Sequence, residues 1–236
     1  MLRLAALLIA LLGLALPPAA AADRVDLALI LAVDSSGSVN QTRFEQQRDG
    51  YARALISKPV LDAIRGGDNK RIALSYYEWS DGRRFARILP WTIIDGETSA
   101  RDAARRIRDH RRQLVGDTCI TCAIEEALSQ FETLPWTADR KVLDISGDGE
   151  NNVGEGLEDA RNRALVADIT INGLPIVTYY EPNLSDYYEQ KVIGGPGAFL
   201  IAARGFDDFA RAVSAKMVRE IAAMPVKGPS LAWSGR

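Results

Sequence analysis

The segment Val25-Asp26-Leu27-Ala28-Leu29-Ile30-Leu31-Ala32-Val33-Asp34-Ser35-Ser36-Gly37-Ser38 runs from a nearly continuous apolar stretch into a cluster of small oxygen-bearing side chains. The apolar part predicts a central strand covered on both faces. After it, Asp34, Ser36 and Ser38 stand at alternate positions and can converge on one point if the loop curls at Gly37. A carboxylate with hydroxyls is a hard, oxygen-only environment, suited to Mg²⁺, Mn²⁺ or Ca²⁺ rather than a thiophilic metal. In an open α/β sheet, ligands gather outside the carboxyl ends of strands at the topological switch point. The first strand is the natural place for that point. Taken alone, Ser-Ser-Gly-Ser also reads as a polar turn whose hydroxyls cap a helix.

Working outward, strands and helices alternate. A helix is expected over 41–57, with Phe44, Tyr51 and Leu55 on one side; it starts either at Asn40 as N-cap or at a Thr42/Glu45 capping box. Strands over 71–79 and 85–94 flank Ser80-Asp81-Gly82-Arg83, a hairpin signal. A polar helix follows over 100–112. Then Ile120, Ala123, Ile124, Ala127, Leu128 and Phe131 take helical spacing. A strand over 141–146, a helix over 157–167, a strand over 169–178 interrupted by Asn172-Gly173 and Pro175, and a strand over 198–202 complete the pattern. The last helix places Phe206, Phe209, Ala210, Val213, Met217, Ile221 and Met224 on one face. The expected architecture is α/β: a doubly wound, mostly parallel sheet with one antiparallel edge strand and helices on both faces.

Composition agrees. With 236 residues, 47% hydrophobic and 25% charged, the chain is neither disordered nor a disulfide-dense mini-fold. Its 29 Lys and Arg against 31 Asp and Glu, a net charge of −2, give no global reason to expect nucleic acid as a partner. A single histidine, His110, cannot build a multi-histidine zinc site, and any Ser-His-Asp triad would have to run through it. Residues 1–22 have a charged start, a short apolar run and an Ala-rich exit, as in a secretory signal peptide. The expected domain covers 23–225, and 226–236 reads as a loose tail. This organisation implies a periplasmic or secreted protein with no membrane span once the leader is removed.

Two more segments bear on the chemistry. Gly116-Asp117-Thr118-Cys119 precedes the helix that begins near Cys119, which leaves the Thr118 hydroxyl free at a helix start. Asp144-Ile145-Ser146-Gly147-Asp148-Gly149 ends a buried strand and sets Asp148 at its carboxyl end. Together with Asp34-x-Ser36-x-Ser38, these segments resemble the von Willebrand factor A domain and its metal ion-dependent adhesion site. The resemblance covers residues 25–224 and implies a metal set of Asp34, Ser36, Ser38, Thr118 and Asp148. Ser36, Ser38 and Thr118 would touch the cation, with Asp34 and Asp148 reaching it directly or through water. An open coordination position would accept a carboxylate from a partner protein. Gly147 departs from the pattern, since many relatives have a hydroxyl residue there. DISGDGENN over 144–152 and VIGGPGAF over 192–199 resemble an exported bacterial branch of the family whose role is not defined.

The expected function is therefore an exported, metal-binding adhesion or scaffolding module and not an enzyme. The alternatives are a metal-dependent hydrolase, with Glu150 as a nearby base, and a thiol-disulfide redox protein. No phosphate loop or dinucleotide fingerprint follows the first strand, which disfavours nucleotides. Residues 144–155 also place Asp144, Ser146, Asp148, Gly149 and Glu155 at calcium-loop positions, but a β-branched strand enters where an EF-hand needs a helix. Cys119-Ile120-Thr121-Cys122 reads as a local disulfide, as free thiols or as a redox pair. The arginines at 101, 105, 106, 108, 111 and 112 read as a solvated helix face, which makes His110 a surface residue. Trp79, Trp91, Tyr179 and Tyr180 are candidates for the rim of the site, or else for core and hairpin packing.

Overall fold

The computed structural model describes residues 24–82 and 85–223; the expected leader and tail lie outside the described residues. The described residues open with a short strand, β1 (Arg24–Val25), and then β2 (Leu27–Asp34). The expected single strand is split because Asp26 turns its carboxylate to the Asn69 amide (2.8 Å) and side chain (3.0 Å). Helices α1 (Gln41–Leu55) and α2 (Lys58–Gly66) lead to β3 (Ile72–Trp79) and β4 (Phe85–Ile94). Of the two expected starts, α1 uses Asn40, whose Oδ1 accepts from the Arg43 amide at 3.0 Å. α3 (Glu97–Asp109), α4 (Ile120–Glu132), β5 (Thr137–Ala138) and β6 (Lys141–Gly147) follow. The chain continues through α5 (Leu157–Val166), β7 (Ile169–Pro175), α6 (Leu184–Tyr187) and α7 (Phe209–Ala222).

The main sheet has the order β4-β3-β2-β6-β7. All its pairings are parallel except β3 with β4, the antiparallel hairpin at one edge. The chain moves from β2 to β3 on one side and later returns to place β6 on the other. The switch point therefore lies between the carboxyl ends of β2 and β6, where a ligand site belongs.

β2 is buried along its whole length. Because strand side chains alternate faces, Leu27, Leu29, Leu31 and Val33 enter one core with Tyr51, Val60, Ile107, Phe209 and Val213 from α1, α2, α3 and α7. Ala28, Ile30 and Ala32 enter the other, with Ile120, Ala123, Ile124 and Ala127 of α4 and Ala160 and Ala164 of α5. The small alanines let α4 approach closely, and the two layers give the expected helices on both faces.

Several local expectations need correction. Residues 198–202 form no strand; Leu200 makes an isolated bridge with Gly173, and Ala203 just beyond makes one with Ile176. The Phe199 amide is taken by the Asn172 side chain (3.0 Å), which leaves the ladder incomplete. β7 ends at Pro175 rather than 178. The last helix is preceded by a 3₁₀ turn, Phe206–Asp208. The polar helix starts and stops three residues earlier than expected; beyond its end His110 and Arg112 turn inward, while Arg111 stays exposed. Accordingly His110 is not a surface residue: its side chain is 15% exposed and its Nε2 lies 3.6 Å from the fully buried Glu78. No helix among the described residues is long and apolar enough to cross a membrane.

Candidate metal site

The site is built by three loops at the carboxyl ends of β2 and β6. Asp34, the last residue of β2, is completely buried. Its Oδ1 accepts from the Ser36 amide at 2.7 Å, a short turn that curls the loop as expected. The Ser36 and Ser38 hydroxyls lie 3.2 Å apart, and Ser38 Oγ donates to Asp148 Oδ1 at 2.5 Å. Thr118 Oγ1 sits 3.5 Å from where a Cβ on Gly149 would stand, against the turn that follows Asp148. Ser38, Thr118, Asp148 and Gly149 line one groove of about 650 Å³. The structure thus brings together all five residues read from the sequence.

What holds this loop is mostly tertiary. Arg112 Nη2 donates to the carbonyls of Ser35 (3.0 Å) and Ser36 (2.7 Å). Gln47 Nε2 donates to the Asp34 carbonyl (3.1 Å), and the Gly37 amide to the Gly116 carbonyl (2.7 Å). Two asparagines tie the Thr118 and Asp148 loops together. Asn152 Oδ1 accepts from the Thr118 amide (2.8 Å), while the Asn152 amide donates back to the Thr118 carbonyl (2.9 Å). Asn151 Oδ1 accepts from the Thr121 amide (3.0 Å). The adjacent asparagines were the signal available in sequence, since such side chains satisfy helix-start amides. Other expected members of the arginine face are paired on the surface, Arg101 with Glu97 and Arg105 with Asp102.

Gly147 also has a physical account. A Cβ there would stand 2.9 Å from Asp34 Oδ2 and 3.0 Å from the Tyr188 hydroxyl. A serine would drive into both, so the departure from the family pattern follows from Tyr188 packing beneath the site.

The electrostatics favour a cation. Burial, and then the neighbouring Asp148 charge, push the Asp34 carboxyl up to about 7. Burial also raises Asp148, opposed by Ser38 and Arg43. Asp34 Oδ2 is buried without a hydrogen-bond partner. Two facing carboxylates with an orphaned oxygen form a costly arrangement that positive charge relieves. No group of three or more His, Cys, Asp or Glu converges among the described residues. A set of two carboxylates and three hydroxyls is outside such a count, and its hard oxygens fit Mg²⁺ or Mn²⁺.

Cys119 and Cys122 form a disulfide at the start of α4, with Cys119 as N-cap. Its sulfurs pack on Gly154: a Cβ there would stand 2.5 Å from Cys119 Sγ. The bridge therefore rests on the same loop that carries Asn151 and Asn152. The closed loop is short, so its global contribution falls below the roughly 3 kcal/mol of a 15-residue loop. Reduction, or Cys119→Ala with Cys122→Ala, is expected to lower Tm by only a few degrees, about 2–4 °C per kcal/mol. Mg²⁺ affinity should fall severalfold as Thr118 loosens. Calorimetry in both redox states checks this; unchanged Mg²⁺ affinity would mean that the bridge does not position Thr118.

The family model described as "Protein of unknown function (DUF1194)" matches residues 24–225. The chain belongs to the DUF1194 family. No curated protein matches it. Solved structures place the fold of this DUF1194 chain with the von Willebrand factor A domains. Proximal thread matrix protein 1 from the mussel byssus aligns with a TM-score of 0.64 at 15% identity, covering 85% of this chain and 48% of that one. A von Willebrand factor type A protein from Catenulispora acidiphila gives 0.59 at 15%, covering 84% and 43%. The pilus adhesin SpaC from Lactobacillus rhamnosus GG gives 0.60 at 13%, covering 84% and 31%. The DUF1194 chain spans less than half the length of each. A further structure of the mussel protein is described as having a zinc-occupied MIDAS motif, that is, a metal ion-dependent adhesion site (TM-score 0.63, 13% identity, 85% and 49% covered).

Proposed function

We propose that this chain is an exported adhesion or scaffolding module, periplasmic or secreted, that binds a divalent cation and through it an acidic side chain of a partner protein. The observation that carries the reading is the run of contacts that joins Asp34, Ser36, Ser38 and Asp148, with Thr118 on the same groove as Ser38 and Asp148, beside a buried Asp34 oxygen that has no partner. Asp34 and Asp148 would hold the cation, with the three hydroxyls completing its oxygen environment. When bound, the ion supplies a hard Lewis-acidic centre for a partner carboxylate, because two carboxylates balance its charge without filling its coordination shell and leave room for another oxygen. The zinc-occupied adhesion site of the mussel relative and the adhesin SpaC support a role in protein capture.

The geometry suits binding more than turnover. Asp34 accepts from the Ser36 amide and Asp148 from Ser38, with a long contact to Arg43, and their remaining lone pairs are left for a cation rather than for moving a proton. The groove beside them runs to Thr178, Tyr180 and Glu181 in the loop beyond β7. Of the aromatic candidates Tyr180 lines this groove and Tyr179 beside it is exposed, whereas Trp79 is buried and Trp91 donates to the Gln130 carbonyl (2.9 Å).

The test is a random 12-residue peptide library displayed on phage, panned on immobilised protein in Mg²⁺ and released with chelator. The reading expects released peptides that share an Asp or Glu, and no such release from Asp34→Ala. Peptides bound regardless of chelator, or released without a common acidic residue, would contradict it.

A further inference from the structure

We propose that Arg43 is a second anchor for the captured carboxylate, binding the acidic side chain beside the cation and so setting the specificity of the site. This rests on the adhesion reading above and adds a residue that the sequence pattern does not name. Arg43 stands in the first turn of α1, its amide fixed by Asn40. Its Nη1 donates to the Ser38 carbonyl at 2.7 Å and lies 3.5 Å from Asp148 Oδ2. Its Cζ lies 5.0 Å from the centroid of the Phe206 ring, a cation–π contact that further holds the guanidinium.

The side chain is 31% exposed and lines the same groove as Ser38, Thr118 and Asp148. Nη1 is engaged, while Nε and Nη2 make no hydrogen bond among the described residues. A planar fork with free donors, held in place at the mouth of a cation site, suits a carboxylate that has two oxygens to satisfy. The contact to Asp148 is long, and Asp148 has a better use for its charge once a cation is present. Arg43 then faces whatever anion enters.

The proposal predicts effects of opposite sign. Arg43 competes with the cation for Asp148, so its removal should leave metal affinity equal or higher. The same removal should weaken the carboxylate. The probe is ¹³C-acetate, titrated into Mn²⁺-loaded protein and read by paramagnetic broadening of its carbon lines, with Mn²⁺ affinity measured separately by calorimetry. Arg43→Gln is expected to weaken acetate about tenfold, the scale of one charge-assisted hydrogen bond, with Mn²⁺ affinity held or raised. Arg43→Lys, which keeps the charge but not the fork, should fall between. Acetate binding equal to the parent in Arg43→Gln would overturn the proposal. So would a fall in Mn²⁺ affinity, which would make Arg43 a support of the Ser38 loop instead. A parent protein that takes up Mn²⁺ without broadening acetate, or takes up no Mn²⁺, would overturn the adhesion reading itself.

Discussion

Lys216→Met is expected to destabilise the domain by about 3–5 kcal/mol, the cost of breaking a buried ion pair from one side. Lys216 of α7 is fully buried and reaches Asp144 of β6 at 2.6 Å, as well as Glu220 one turn along. Glu220 is in turn held by Asn172 Nδ2 at 3.1 Å. Asp144 points into this layer because strand alternation puts it on the same face as Val142, opposite Leu143 and Ile145. With the ammonium gone, two carboxylates face each other in the core. Chemical denaturation should show the midpoint falling while the slope is kept. Adding Asp144→Asn and Glu220→Gln to Lys216→Met should restore most of the loss, since neutral groups need no counter-charge. A Lys216→Met protein as stable as the parent would mean that the triad is not an internal brace.

The same triad sets a pH dependence. Burial, and then the Glu220 charge, push the Asp144 carboxyl up to about 7, against an ordinary value of 3.8. The folded state therefore holds this proton more tightly than the unfolded chain does. Its contribution to stability is full below about pH 4 and is lost as pH rises through 7. Asp34 and the buried Glu78, both raised by burial, act with the same sign. Asp144→Asn should flatten the decline in stability between about pH 4 and 7, the span between the ordinary and the raised value. An unchanged slope would remove Asp144 as its source.

The second large effect is on metal binding. Asp34→Ala and Thr118→Ala should each reduce Mg²⁺ or Mn²⁺ affinity by more than about a hundredfold, beyond the roughly 10–100-fold that supporting groups cost. Both should keep the fold. Removing Asp34 gives up its hydrogen bonding to Ser36 and to the Asp148 backbone, but also takes away a buried carboxyl whose second oxygen is costly to bury. Thr118 is held through its backbone by Asn152, so truncating the side chain removes little besides the hydroxyl. Undiminished affinity in either variant would refute the ligand assignment. Collapse of the circular dichroism would mark the residue as structural.

Local periodicity carried much of this in sequence. The apolar run of β2, the Asp-Gly hairpin and the spacing along α4 each depend on near neighbours. The five metal residues were legible as a set only through the resemblance of their three segments to the von Willebrand factor A domain, since no one segment alone separates a metal site from a polar turn. The supports were hidden because their partners are distant in sequence: Arg112 meets Ser35 and Ser36, Lys216 meets Asp144, and His110 meets Glu78. An arginine-rich stretch looks solvated until the helix ends at Asp109 and its last member, Arg112, folds back onto the loop. α2 was missed although Pro59 stands near its start and Val60, Leu61 and Ile64 share a buried side. Nine residues give little periodicity to read.

The central claim is that these loops form a divalent cation site. Chelator-stripped protein titrated with Mg²⁺ and with Mn²⁺ in a calorimeter tests it most directly. One ion bound per chain, with Asp34→Ala silent under the same conditions, is the predicted result. No saturable binding of either ion by folded parent protein would contradict it.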